Sequence, residues 1–230
     1  MLERSAEAPM AWQQFHVEDA VRREVLDTAP DVVCWQELPN QVPFVETHDL
    51  LPATTRTHNG NLAVLVTHAI RGSEPAPVIV AVDDIALLAT FGQRPHQIGD
   101  GPDGFTIANV HFEPGPGAAD RRLEQLSRVV RASPTQRLLI VGDTNMRLDE
   151  ADVLFEAGFT GDKPPRPTWN SKRNRFRSDG PEFTAYFTRW FASPGLRVTD
   201  VRVHDQPVEF QGRRFHLSDH FALSGTVTVA

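Results

Sequence analysis

Cysteine is nearly missing: Cys34 is the only one in 230 residues. A single thiol excludes an intrachain disulfide framework and a cysteine-based zinc site. Cys34 lies inside an apolar run and reads as a small core residue rather than a nucleophile. Long apolar runs are missing too. None reaches the roughly 18 residues that a membrane helix needs, and Met1-Leu2-Glu3-Arg4-Ser5 carries no signal-peptide core. A cytoplasmic protein without a membrane partner is therefore expected. Lysine is scarce, with only Lys163 and Lys172, so nearly all basic charge is arginine. Guanidinium forks suit phosphate recognition, although a GC-rich genome produces the same bias. The net charge of -7 argues against broad, non-specific binding to DNA and leaves room for a local basic patch. Repeats, linkers and low-complexity blocks are absent. A chain that is 40% hydrophobic has ample material for one domain over 1–230.

What is present is a series of short strands that end in polar residues. Leu138-Leu139-Ile140-Val141 reads as a buried strand that stops at Gly142-Asp143-Thr144-Asn145. Alternation along a strand lets Asp143 and Asn145 project from one side. Val17, Val21 and Val25 predict an amphipathic helix closed near Pro30. Asp31 to Glu37 predicts a strand, as do Leu62 to Val66, Val78 to Val82, Ile85 to Phe91 and Phe105 to His111. Asn59-Gly60 reads as a turn tip. Ala119 to Ala132 predicts a helix with Leu123, Leu126, Val129 and Val130 on one face, and a shorter helix is expected over Glu150 to Ala157. Residues 161 to 182 read as a long surface loop. Tyr186 to Ala192, Leu196 to Val203 and Phe221 to Val229 predict the last strands. Many strands with few helices suggest two sheets packed face to face with helices outside.

Glu37, Asn109 with His111, and Asp143 with Asn145 all stand at strand ends, whereas Ser218-Asp219-His220 precedes the last strand. If that strand runs antiparallel to the others, one rim collects them all. Carboxylates about 4 Å apart repel by roughly 4 kcal/mol at an effective dielectric of 20. Such a cluster takes up protons or a cation, and hard oxygen ligands favour Mg²⁺ or Mn²⁺ over zinc. His216 and His220, four apart, would need a helix to form a zinc pair, and Leu217-Ser218-Asp219 offers none. Ser218 lacks the elbow of a serine nucleophile. Arg166, Lys172, Arg173, Arg175 and Arg177 crowd one loop. They form either a solvated loop or a phosphate grip beside Trp169, which could stack on a base.

Together, Trp35-Gln36-Glu37, Asn109-Val110-His111, Gly142-Asp143-Thr144-Asn145, Pro167-Thr168-Trp169-Asn170 and Ser218-Asp219-His220 resemble, in order, the motifs of the endonuclease/exonuclease/phosphatase superfamily. The resemblance spans residues 17 to 229. It implies an α+β fold, a four-layer αββα sandwich. It also implies roles: Asp143 orienting or deprotonating the attacking water, Asn145 and His111 on the phosphate oxygens, His220 polarised by Asp219 at the transition state, and Glu37 with Asp219 on the metal. Substrate contacts are expected from Asn109, Trp169, Arg173, Arg175 and Arg177. Two family features are unmatched. No apolar run ending in Asn precedes Val17, so the first strand is expected to be missing. Thr188-Arg189-Trp190-Phe191 stands where the family has Asp before an aromatic strand, and threonine supplies no charge.

The expected activity is metal-dependent phosphoester hydrolysis by in-line water attack, with DNA or RNA as the first substrate class. A small phosphorylated metabolite or lipid headgroup is the alternative substrate. A non-catalytic binding protein of the same fold is the rival from another class.

Overall fold

The computed structural model describes residues 28–38, 47–51, 55–57, 60–72, 76–92, 104–161, 163–173, 181–210, 213–216 and 218–230. The helix expected around Val17 to Val25, and the stretch before it where no first strand was expected, lie outside these residues. In chain order the elements are β1 (Val32–Leu38), β2 (His48–Leu50), β3 (Thr55–Thr57), β4 (Gly60–Thr67), α1 (His68–Arg71), β5 (Val78–Val82), β6 (Ala86–Phe91), β7 (Phe105–His111), α2 (Ala119–Ala132), β8 (Leu138–Asp143), α3 (Asp152–Glu156), β9 (Trp169–Asn170), β10 (Thr184–Ala185), β11 (Thr188–Ala192), β12 (Leu196–His204), β13 (Val208–Phe210), β14 (Arg213–Phe215) and β15 (Ala222–Val229).

A five-stranded sheet runs β11-β8-β7-β6-β5. All its neighbours are antiparallel except β7 and β8, which α2 joins as a parallel crossover. A second sheet runs β1-β4-β2, with β3 also paired to β4, and β12 pairs β15. The apolar run of β8 explains how the layers are glued. Leu139 joins Leu62, Val64, Leu87 and Trp190 between the sheets. Its neighbours Leu138 and Ile140 face the opposite way, onto Leu126, Val129 and Leu154 of the helices. A strand buried on both faces must be apolar at every position, and β8 is, until Gly142. The result is an α+β sandwich, with two sheets face to face and α2 and α3 outside the five-stranded one.

Three expectations change. Within α2, Val130 is 39% exposed, while Arg122 and Gln125 are buried beside Leu126 and Val129. The short helix opens as a 3-10 turn over Asp149–Ala151 and turns α-helical only over Asp152–Glu156. The loop expected over 161 to 182 contains β9, which pairs with β10.

Candidate active site

The site lies where β1, β7 and β8 end and β15 begins. Asn109, 0% exposed, is its hidden strut. Its Nδ2 donates to Trp35 O and Ala63 O, both at 2.9 Å, and its Oδ1 accepts from Gln36 Nε2 at 2.5 Å. Asn109 thus bolts the five-stranded sheet to β1 and β4. The expectation that it contacts substrate is corrected, since burial and these partners take up the amide. Directly beyond the strut, a register break between Trp35 and Leu38 re-aims the strand, and Glu37 sits at φ 56°. That left-handed backbone is costly for a non-glycine residue.

Gly142 explains the form of the next motif. Its φ is 133°, and a Cβ there would lie 2.3 Å from Val110 O. Glycine therefore lets β8 approach β7 closely enough to set Asp143 beside His111. Asp143 Oδ1 accepts from Asn145 N at 3.0 Å, which leaves Oδ2 turned to the histidines. His111 Nε2 and His220 Nε2 each lie 3.6 Å from that oxygen, and Glu37 Oε1 is 3.8 Å from His111 Nε2. Asn145, at φ 49°, donates from Nδ2 to Phe112 O at 3.0 Å.

His220 is placed by Thr168, a residue to which sequence reasoning gave no role. Thr168 is fully buried. Its Oγ1 accepts from Thr188 N at 3.0 Å and its carbonyl accepts from Phe221 N at 2.8 Å. This brings the start of β11 against the start of β15, and Thr188 Oγ1 meets His220 Nδ1 at 3.0 Å. The polarising partner expected in Asp219 is corrected here: Thr188 occupies that side of the imidazole, and it is a neutral hydroxyl. His216 lies tilted against Phe221, with ring centroids 5.1 Å apart.

Burial, then the Asp219 and Asp143 carboxylates, push the Glu37 carboxyl up to about 7, while His220 pulls the other way. Burial is the larger cause, and the neighbouring carboxylates add to it. Among the described residues no group of three or more His, Cys, Asp or Glu side chains closes on one point suited to a metal. The oxygen donors nevertheless match a hard cation such as Mg²⁺, which keeps several waters and needs only one or two carboxylates.

On the substrate side, two further expectations are corrected. Trp169 is buried against Phe183 and Phe187, at 5.6 and 6.0 Å between centroids, so it offers no face to a base. Arg173 forks onto Asp205, with Nη1 to Oδ2 at 2.7 Å and Nη2 to the carbonyl at 3.1 Å. Burial pushes the Asp205 carboxyl up, but the bonds from Arg173 and Arg166 outweigh it and hold the group below its usual range. Arg173 therefore ties the turn at residues 171–173 to Asp205. Arg175 and Arg177 lie outside the described residues. The exposed ring is instead Phe183, 46% accessible. Arg147 lies 5.7 Å over it and 5.0 Å over Phe187, whose ring is 6.3 Å from that of His220. Sequence reasoning missed Arg147 and Phe183. Their only signal was Arg147 standing two residues past Asn145.

Residues 13–220 match the model of the Endonuclease/Exonuclease/phosphatase family, and the chain belongs to that family of phosphoesterases. Among solved structures it is similar to TDP2 of D. rerio complexed with single strand DNA product, with TM-score 0.68, 17% identity, and 93% of this chain and 92% of that chain covered. It is also similar to the endonuclease domain of TRAS1, a telomere-specific non-LTR retrotransposon, with TM-score 0.58, 18% identity and 93% and 92% covered. A third is the mannosyl-6-phosphatase Bt3783 of Bacteroides thetaiotaomicron, with TM-score 0.59, 13% identity and 93% and 91% covered. No curated protein matches in sequence. No helix among the described residues is long and apolar enough to cross a membrane.

Proposed function

We propose that residues 1–230 form one catalytic domain, a divalent-metal-dependent phosphodiesterase acting on nucleic acid by in-line attack of water, without a covalent intermediate. The observation that carries this reading is the convergence on Asp143 Oδ2 of His111 Nε2 and His220 Nε2, each at 3.6 Å, beside Glu37. Asp143, fixed through Oδ1, orients a water with Oδ2 and takes its proton. His220, turned by Thr188, presents Nε2 to charge developing on a phosphoryl oxygen. His111 and the remaining amide N–H of Asn145 serve the other non-bridging oxygens. Glu37 and Asp219 would hold Mg²⁺ or Mn²⁺, which when bound neutralises phosphate charge and stabilises the leaving oxygen.

Nucleic acid is favoured because the exposed ring of Phe183 packs with Arg147 against Phe187, the ring next to His220, and offers a stacking surface. The TDP2 neighbour with its single-strand DNA product supports the same choice. A small phosphorylated metabolite is the second reading, favoured by the net charge of -7 and by the likeness to the Bacteroides phosphatase.

The test is turnover of an aryl phosphodiester and of single-stranded DNA, with Mg²⁺ and with chelator. Turnover that needs Mg²⁺ and is abolished in a folded Asp143→Ala variant is expected. No Mg²⁺-dependent turnover of either substrate would overturn the reading.

A further inference from the structure

Arg122 is the one fully buried cation on α2, on the face that also buries Gln125, Leu126 and Val129. All of its bonds run toward the site. Nε and Nη2 fork onto Glu150 Oε2 and Oε1 at 2.7 and 2.6 Å. Nη1 donates to the carbonyls of Glu113 at 3.0 Å and Gly115 at 2.7 Å. Gln125, one turn further along, accepts from Glu113 N at 2.9 Å.

The two segments so gathered are the ones that leave β7 and β8. Glu113 follows His111 and Phe112, and Glu150 follows Asn145. Between them lies the pair of bonds that shapes the site: Phe112 N to Asp143 O at 2.9 Å, and Asn145 Nδ2 to Phe112 O at 3.0 Å. Phe112 is therefore held on one flank by Asp143 and on the next residue by Arg122. Any slack in the clamp passes directly to the carbonyl that orients Asn145.

We infer that the buried Arg122–Glu150 pair is a positioning device for catalysis, setting the Phe112 carbonyl and through it the Asn145 amide. Stability alone does not call for an ion pair here. An apolar pair of similar volume usually packs as well, because two charges need not be desolvated. What an apolar pair cannot do is fix two loop carbonyls and a second loop at once, as a planar fork does. A displacement of about 1 Å at a reacting group can cost about a hundredfold in rate.

The inference rests on the phosphodiesterase reading for its effect on rate, so the test carries a second readout. The variant is Arg122→Met with Glu150→Leu, which removes both charges together. Arg122→Met alone risks misfolding, because it strands the buried Glu150 carboxylate. The double variant is expected to fold with a somewhat lower melting temperature, because the carbonyls of Glu113 and Gly115 lose their donor. Its kcat on an aryl phosphodiester should fall at least about tenfold with KM within about twofold. The Asn145 side-chain amide resonances should shift and lose their protection from solvent exchange. A folded double variant with unmoved Asn145 resonances overturns the inference, as does unchanged kcat. If the parent itself shows no turnover, the functional reading fails, and the Asn145 resonances alone decide whether the clamp positions that side chain.

Discussion

At the ends of β7 and β8 the rim is held by buried polar struts. Asn109 spans the sheets, Arg122 forks onto Glu150, and Gly142 removes the side chain that would part the strands. At the starts of β11 and β15 it rests on hydroxyls and rings: Thr168 on Thr188, Thr188 on His220, and Arg147 over Phe183 and Phe187. Charge-assisted bonds are roughly twice as strong as neutral ones. The side that carries Asp143, the proposed base, is therefore over-determined. The side that carries His220 and the proposed stacking ring is held more lightly, in keeping with function residing in adaptable surfaces on a rigid frame.

The largest test of this contrast is Asn109→Ala. It takes the Asn109 donor from the carbonyls of Trp35 and Ala63 between two sheets, and leaves the Gln36 amide only its bond to Cys34 O. A loss of about 3 kcal/mol in folding stability is expected, measured by urea denaturation. A loss below about 1 kcal/mol would show that the strut bears little. Next is Thr188→Val, which keeps shape and removes the partner of His220 Nδ1. It should lower kcat about tenfold at nearly constant stability; an equal fall in melting temperature would mean that the hydroxyl serves the fold. Phe183→Ala should raise KM for single-stranded DNA about fivefold and leave an aryl phosphodiester unaffected.

The smallest effect is a pH dependence. Glu37 is raised from 4.5 to about 7, so the folded state binds the proton more tightly than the unfolded one. Its contribution to stability is full below about 4.5 and is lost as pH rises through about 7. Thermal melts of metal-free protein should thus show a shallow loss of stability over that window. Glu37→Gln should remove this loss. Mg²⁺ should oppose it, because the cation prefers the carboxylate form.

Much of this was legible in the chain. The strands 78–82 and 105–111 and the helix 119–132 coincide with their expected bounds, because apolar periodicity is local information. The meeting of Glu37, His111, Asp143 and His220 followed from motifs in order at strand ends. What stayed hidden depends on partners distant in sequence. Asn109 looked like a substrate ligand, since nothing local shows that Trp35 O and Ala63 O lie opposite it. Thr188 became the neighbour of His220 only through its register with Asp143. Two-residue strands such as β9 and β10 have no period to read, and the hairpin β13–β14 is hardly longer. Arg122 was not singled out, because a buried charge is visible only with its partner Glu150.

Gly142 has a consequence for anyone who diversifies this molecule. A saturation library at that position should come back empty, whatever the selection asks for, because the neighbouring strand already fills the space where a side chain would begin. Asp143 next to it should behave in the opposite way, with many substitutions giving soluble protein that fails only in the assay. Two adjacent columns of one mutational map would then separate what the backbone forbids from what the chemistry requires.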